Sequence, residues 1–296
     1  MHPFLVSLYM LLVGNVPKPP FYLGKPDKRR TALQSIAAWV NQKGNQPPGK
    51  WQITRTEYAR RLEHLIGTFE LNQGNIDCCV FAATLFSILW YYPEEAARFG
   101  MDLYDNGEAS LGNLDGTVNI KPNNTLLSTT PAQVSEGDGY PPFVDWILLS
   151  SIIDSFYSGI AYYGKTDQNG VVRIDPDTHE NVIGFFPKFF TFQGRFNGIQ
   201  NNAVDIAKLS TENKVVFMWI GASRFKARSF GGSFLNFFNP VYHCVALCGP
   251  FEFYNSNQNV KYPVHSYAEK VNMDDQIRSL GITNAGINFL FVCDLS

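Results

Sequence analysis

Two of this chain's five cysteines, Cys78 and Cys79, are adjacent where a polar stretch turns apolar, in NQGNIDCCVFAATLFSILWYYP at 72–93. A cysteine in the first turn of a buried helix feels the positive end of the helix dipole, which favours the thiolate. The thiolate is the attacking species, so Cys79 is a candidate nucleophile. The plainer alternative is that both are small core residues. A nucleophilic thiol also needs a histidine to take and return its proton. Of five histidines, His2 is terminal, His64 falls on a helical pattern, and His179 sits in the charged stretch DPDTHEN, read as a loop. His265, in YPVHSYAEK, reads as exposed, whereas His243 opens the strand pattern HCVALCG after the loop GGSFLNFFNPVY. A third group would fix the tautomer of that ring. Gly249-Pro250 reads as a hairpin turn that returns 255–257 opposite His243. A three-residue turn puts both Asn255 and Asn257 on the histidine's face, and a slip of one residue reverses that. Asn255 is the preferred orienter and Asn257 the alternative.

The cysteines fall at 78, 79, 244, 248 and 293, with no C-x-x-C pair. A structural zinc site is therefore not expected. A metal held by Cys78, Cys79 and His243 is the weakest of the alternatives; no metal and no cofactor is expected. Adjacent cysteines rarely bond each other, because the peptide between them would be strained. The count reads as reduced thiols, in keeping with synthesis in the cytoplasm.

These side chains need a core to hold them. The chain is 45% hydrophobic and 17% charged, the composition of a globular protein, and its 24 Phe and 14 Tyr call for bulky packing. A net charge of −2 gives no general attraction to nucleic acid or anionic membranes. The short basic cluster at 25–30 reads as solvated surface. The N-terminal apolar run at 4–13 is too short to span a bilayer, and it lacks a basic flank and a small-residue cleavage site. It reads as a buried helix or strand rather than a cleaved signal.

Along the chain, the Pro/Gly-rich stretch at 15–26 precedes a helical pattern near 30–43. A second helix covers 54–70, with Tyr58, Leu62, Leu65, Ile66 and Phe69 on one face. The run from 79 to about 92 is apolar nearly all round and predicts a fully buried helix. Pro93 opens the next helix, and Asn106-Gly107 closes it. Residues 111–142 read as an irregular connection with one short strand, and 142–157 as another buried helix. The second half is dense in β-branched and aromatic residues, with strands at 215–221, 243–249, 251–257 and 288–295. Helices first and strands after make an α+β fold. The expected organisation is an N-terminal extension, 1–50, packed on or preceding a catalytic domain, 51–296.

In NQGNIDCCVFAA, Gln73 lies six residues before Cys79. This stretch resembles the active-site segment of papain-like cysteine peptidases, whose Asn-Gln-Gly leads at that spacing to the nucleophile opening the central helix. The resemblance implies that Gln73 and the Cys79 N–H form the oxyanion hole. It also implies His243 as the base, since in that family the histidine starts a late strand after a Gly-rich loop. Asn255 would then complete a Cys-His-Asn triad. The segment CVFAATLFSILWYYPEEAARFGMDLYDNGEASLGNL is similar to a group of predicted bacterial papain-like proteins with Cys-Gly-Pro-Ala-Ala before an aromatic-rich helix. Asp145-Trp146 matches their Asp-Trp helix. Aligning Ala82-Ala83 and Pro93 selects Cys79 over Cys78, with Val80-Phe81 standing where that group has Gly-Pro.

The resemblance implies a cysteine-dependent amide hydrolase: a protease, or a deamidase or transglutaminase acting through the same acyl-enzyme. It implies a secreted effector or toxin, exported without a cleaved signal peptide, with a protein or peptide substrate and a cognate inhibitor or immunity protein as partner. The alternative is an inactive papain-like fold that serves as a protein-binding module.

Overall fold

A computed structural model describes residues 26–42, 49–68, 71–73, 78–112, 117–134, 141–157, 176–197, 213–221, 242–248, 255–256, 259–260 and 287–296. The first half is helical: α1 (Pro26–Gln42), α2 (Arg55–Thr68), α3 (Cys79–Tyr91) and α4 (Pro93–Asn106). A short ribbon follows, β1 (Ala109–Leu111) antiparallel to β2 (Val118–Ile120), then α5 (Asn124–Leu127), α6 (Phe143–Phe156) and α7 (Pro176–Phe185). The second half supplies β3 (Phe190–Asn197), β4 (Lys214–Gly221), β5 (Tyr242–Cys248) and β8 (Ile287–Leu295), which form one antiparallel sheet in the order β3-β8-β4-β5. Two further strands, β6 (Asn255–Ser256) and β7 (Asn259–Val260), pair only with each other among the described residues. The chain is therefore a mixed helix-and-sheet, α+β protein.

Every residue of α3 is buried, including Thr84 and Ser87, whose hydroxyls donate to the carbonyls of Val80 and Ala83 one turn back. Such a helix has no solvent face to dictate its orientation, so its neighbours must dictate it. Its C-terminus turns abruptly at Tyr92 because Pro93 cannot continue the hydrogen-bond ladder but suits the first turn of α4. Gly107 ends α4 at φ 74°, a left-handed cap that a Cβ would strain. Tyr91 and Tyr92 fasten this corner to the sheet, their hydroxyls donating to the carbonyls of Lys214 and Ser296 at 3.2 and 2.7 Å.

One face of the sheet closes over α3 and α7. The register pairs Val215 with Cys293, Phe217 with Phe291 and Ala246, and Trp219 with Cys244, and all of these side chains are buried. On the far side of α3, α1 and α2 pack with α4, and Ala32, Ile36 and Trp39 of α1 enter the same core as α3 and the sheet. Residues 26–42 thus belong to the body of the fold. The N-terminal apolar run and the Pro/Gly-rich stretch after it lie outside the described residues, apart from Pro26 itself.

Two elements depart from the sequence expectation. The charged stretch around His179 is not a loop but the helix α7. His179, Val182 and Ile183 on it and Phe186 just after it recur at helical spacing and are all buried, an apolar stripe that outweighs the charges in the sequence. The connection at 111–142 holds, besides the one short strand expected there (β2), the unexpected one-turn helix α5, which Asn123 caps by accepting from the Thr125 and Leu126 N–H groups.

Candidate active site

Cys78 is the N-cap of α3 and Cys79 its first residue; the ladder begins with the Ala82 N–H donating to the Cys78 carbonyl at 2.9 Å. Both side chains are buried thiols, Cys79 4% exposed and Cys78 fully enclosed. The preceding strand of chain, 71–73, is anchored on both sides. Leu71 enters the core, the Asn72 N–H donates to Asp145 Oδ2 at 2.8 Å, and Gln73 is buried. Cys79 and Gln73, which the sequence couples, therefore both lie in the interior; residues 74–77 between them are outside the described set.

β5, at the edge of the sheet among the described residues, packs against α3. Within it Cys244 is fully buried, and its thiol is pushed well above the usual range, first by burial and then by negative charge on Cys79. The two thiols are thus electrostatic neighbours, and Cys244 stays neutral. His243 is the next residue along β5; its backbone pairs with Ile220 of β4, and its side chain is not among those described.

Cys244 also touches a histidine that the sequence reading set aside. Its Sγ lies 3.7 Å from Nδ1 and 4.0 Å from Nε2 of His179. The Trp219 indole N–H donates to His179 Nδ1 at 2.7 Å, so the neutral ring carries its proton on Nε2. Phe217 and Phe291 enclose the ring, with centroids 5.0 and 4.5 Å away. Burial holds His179 down to about 3, so it remains neutral and cannot accept a proton near neutrality. Its nearness to Cys244 does not make it a base.

The third-residue expectation fares differently. Asn255 pairs with Val260 in the β6–β7 ribbon, while the described partner of β5 is β4. The hairpin at Gly249-Pro250 that was to return Asn255 across from His243 lies outside the described residues, as do Asn257 and His265. Asn255 therefore gains no described contact with β5.

Arg61 and Asp145 form a centre that sequence reasoning did not assemble. Arg61 of α2 donates through Nε and Nη2 to the two oxygens of Asp145, each at 2.7 Å, and Asp145 is fully buried. Burial raises the Asp145 carboxyl, against the lowering pull of Arg61, the Asn72 N–H and His64. A lone acid in the apolar stretch FVDWILL was the available signal, because an uncompensated charge there would be costly. Among the described residues, no group of three or more His, Cys, Asp or Glu side chains could hold a metal. Nor is any helix there long and apolar enough to cross a membrane. No protein-family model, no curated protein and no solved structure matches this chain.

Proposed function

We propose that this protein is a cysteine-dependent amide hydrolase of papain-like architecture, with Cys79 as nucleophile and His243 as general base. The observation that carries this reading is the place of Cys79 in the first turn of the buried helix α3, against which β5, the strand that holds His243, packs. Two further observations support it. His179, the histidine that touches Cys244, is kept neutral by burial, and its Nδ1 is taken by the Trp219 N–H. Gln73 is held in the interior a few residues ahead of the nucleophile.

In this reaction His243 takes the Cys79 proton and the thiolate adds to a substrate carbonyl. Gln73 and the Cys79 N–H bind the oxyanion. Collapse expels the amine, which takes its proton from His243, and leaves a thioester. Water, or an amine in a transferase, then releases the acyl group and restores the thiol. Asn255 orients the histidine ring, with Asn257 as the alternative. Resemblance to bacterial effector proteins favours a protein substrate, export without a cleaved signal, and a cognate inhibitor or immunity protein.

The test is formation of the acyl-enzyme with an unselective donor, p-nitrophenyl acetate, located by peptide mass. Acetyl is expected on Cys79, lost in Cys79→Ala and greatly slowed in His243→Ala. Labelling spread over other residues, or unaffected by His243→Ala, overturns the proposal. Added putrescine separates transfer from hydrolysis by the amide it forms.

The second reading, an inactive papain-like fold serving as a protein-binding module, is favoured by the 4% exposure of Cys79. It predicts a thiol that neither acetylates nor alkylates readily at neutral pH.

A further inference from the structure

We infer that the Arg61–Asp145 pair is a positioning device for the oxyanion hole, holding the segment that carries Gln73; this rests on the role proposed above for Gln73. Asp145 sits in the first turn of α6, which is a favourable place for a carboxylate. One of its oxygens, Oδ2, accepts from both Arg61 Nη2 and the Asn72 N–H, at 2.7 and 2.8 Å. The other, Oδ1, accepts from Arg61 Nε at 2.7 Å. The guanidinium fork fixes the carboxylate in plane. The carboxylate in turn fixes the backbone one residue before Gln73.

Three elements thereby meet at one backbone amide: α2 through Arg61, α6 through Asp145, and the approach to α3 through Asn72. Gln73 is buried, so its amide cannot be steered by solvent; its direction follows from the backbone it hangs on. A buried ion pair is a poor device for stability alone, since its desolvation consumes most of the Coulombic gain. Used to set the direction of a hydrogen-bond donor, it performs a task that an apolar pair could not.

The inference separates two reactions of Cys79. Alkylation by iodoacetamide is a direct displacement that builds no oxyanion, whereas acylation by p-nitrophenyl acetate passes through one. Gln73→Ala is expected to slow acylation by about a hundredfold, the usual loss for one oxyanion donor, and to leave alkylation unchanged. Asp145→Asn is expected to slow acylation roughly tenfold through misplacement of that donor, again with alkylation unchanged. The double variant should be no slower than Gln73→Ala alone, because the two act through one group. Arg61→Lys, which keeps the charge but loses the fork, should give a smaller loss of the same kind and serves if Asp145→Asn does not fold.

Losses that multiply in the double variant, or alkylation that falls in parallel with acylation in Asp145→Asn and Arg61→Lys, would mean a merely structural pair and overturn the inference. Acylation untouched by Gln73→Ala while Cys79 still alkylates would remove the oxyanion role of Gln73, and the inference with it. Failure of Cys79 to alkylate in the wild type would instead overturn the enzyme reading itself.

Discussion

Helix α6 carries two buried carboxylates, Asp145 at its first turn and Asp154 at its last, and each suspends a passing segment of chain. Asp145 takes the Asn72 N–H and is answered by the Arg61 cation. Asp154 takes the Asn123 N–H and side-chain amide, both at 2.8 Å, and is answered by neutral groups. Burial raises both carboxyls. The difference is in what hangs from them: Asp154 holds the cap of a one-turn helix, whereas Asp145 holds the approach to Cys79. The costlier, countercharged anchor stands where the proposed chemistry would need position.

Removing each anchor sharpens that contrast. Asp145→Ala strands a guanidinium that is only 21% exposed, and the expected loss is about 3 kcal/mol by urea unfolding, the low end for a broken buried pair because Arg61 still reaches water. Equal losses for Asp145→Ala and Asp154→Ala would break the comparison.

A neutral centre gives the next effect, and its sign is fixed by linkage. His179 is held down to about 3 when folded, against about 6.5 unfolded. Its contribution is therefore present above pH 6.5 and lost as pH falls toward 3. Between pH 6.5 and 4.5 the wild type should lose on the order of 2 kcal/mol more than His179→Gln, which keeps an acceptor for Trp219 but cannot titrate. Parallel pH profiles for the two proteins would show that the ring is not enclosed.

Asp154→Ala should cost about 1.5 kcal/mol, the usual penalty for orphaning buried donors. The raised carboxyl also works in the opposite direction to His179. A folded value above the unfolded one gives a contribution complete at acid pH and lost as pH rises through the folded value. The wild type should accordingly gain on Asp154→Asn as pH is lowered. The smallest effect is expected from Asp27→Ala on α1, whose partner Arg30 is an exposed neighbour on the same helix: no measurable change in urea midpoint.

The elements around Cys79 were legible because their signals are local. An all-apolar run needs burial, Pro93 stops one helix and opens the next, and Gly107 closes it with a left-handed cap. The ends of β4, β5 and β8 were legible from dense β-branched and aromatic runs. Helix α7 was not, because DPDTHEN reads as a loop until the stripe His179, Val182, Ile183, Phe186 is weighed against its charges. β3, FTFQGRFN, hid behind its polar alternate residues and a register shift between Phe192 and Gly194. Partnerships between distant residues were the least legible. Arg61 and Asp145 are 84 positions apart, and Trp219 and His179 are 40 apart. Nothing in local spacing announces such pairs.

The most direct test of the account is the pH dependence of iodoacetamide labelling at Cys79, compared among wild type, His243→Ala and His179→Gln. The account predicts rapid labelling well below pH 8 in the wild type, its loss in His243→Ala, and its survival in His179→Gln. Slow labelling throughout, or a rate that ignores His243 and follows His179, would contradict it.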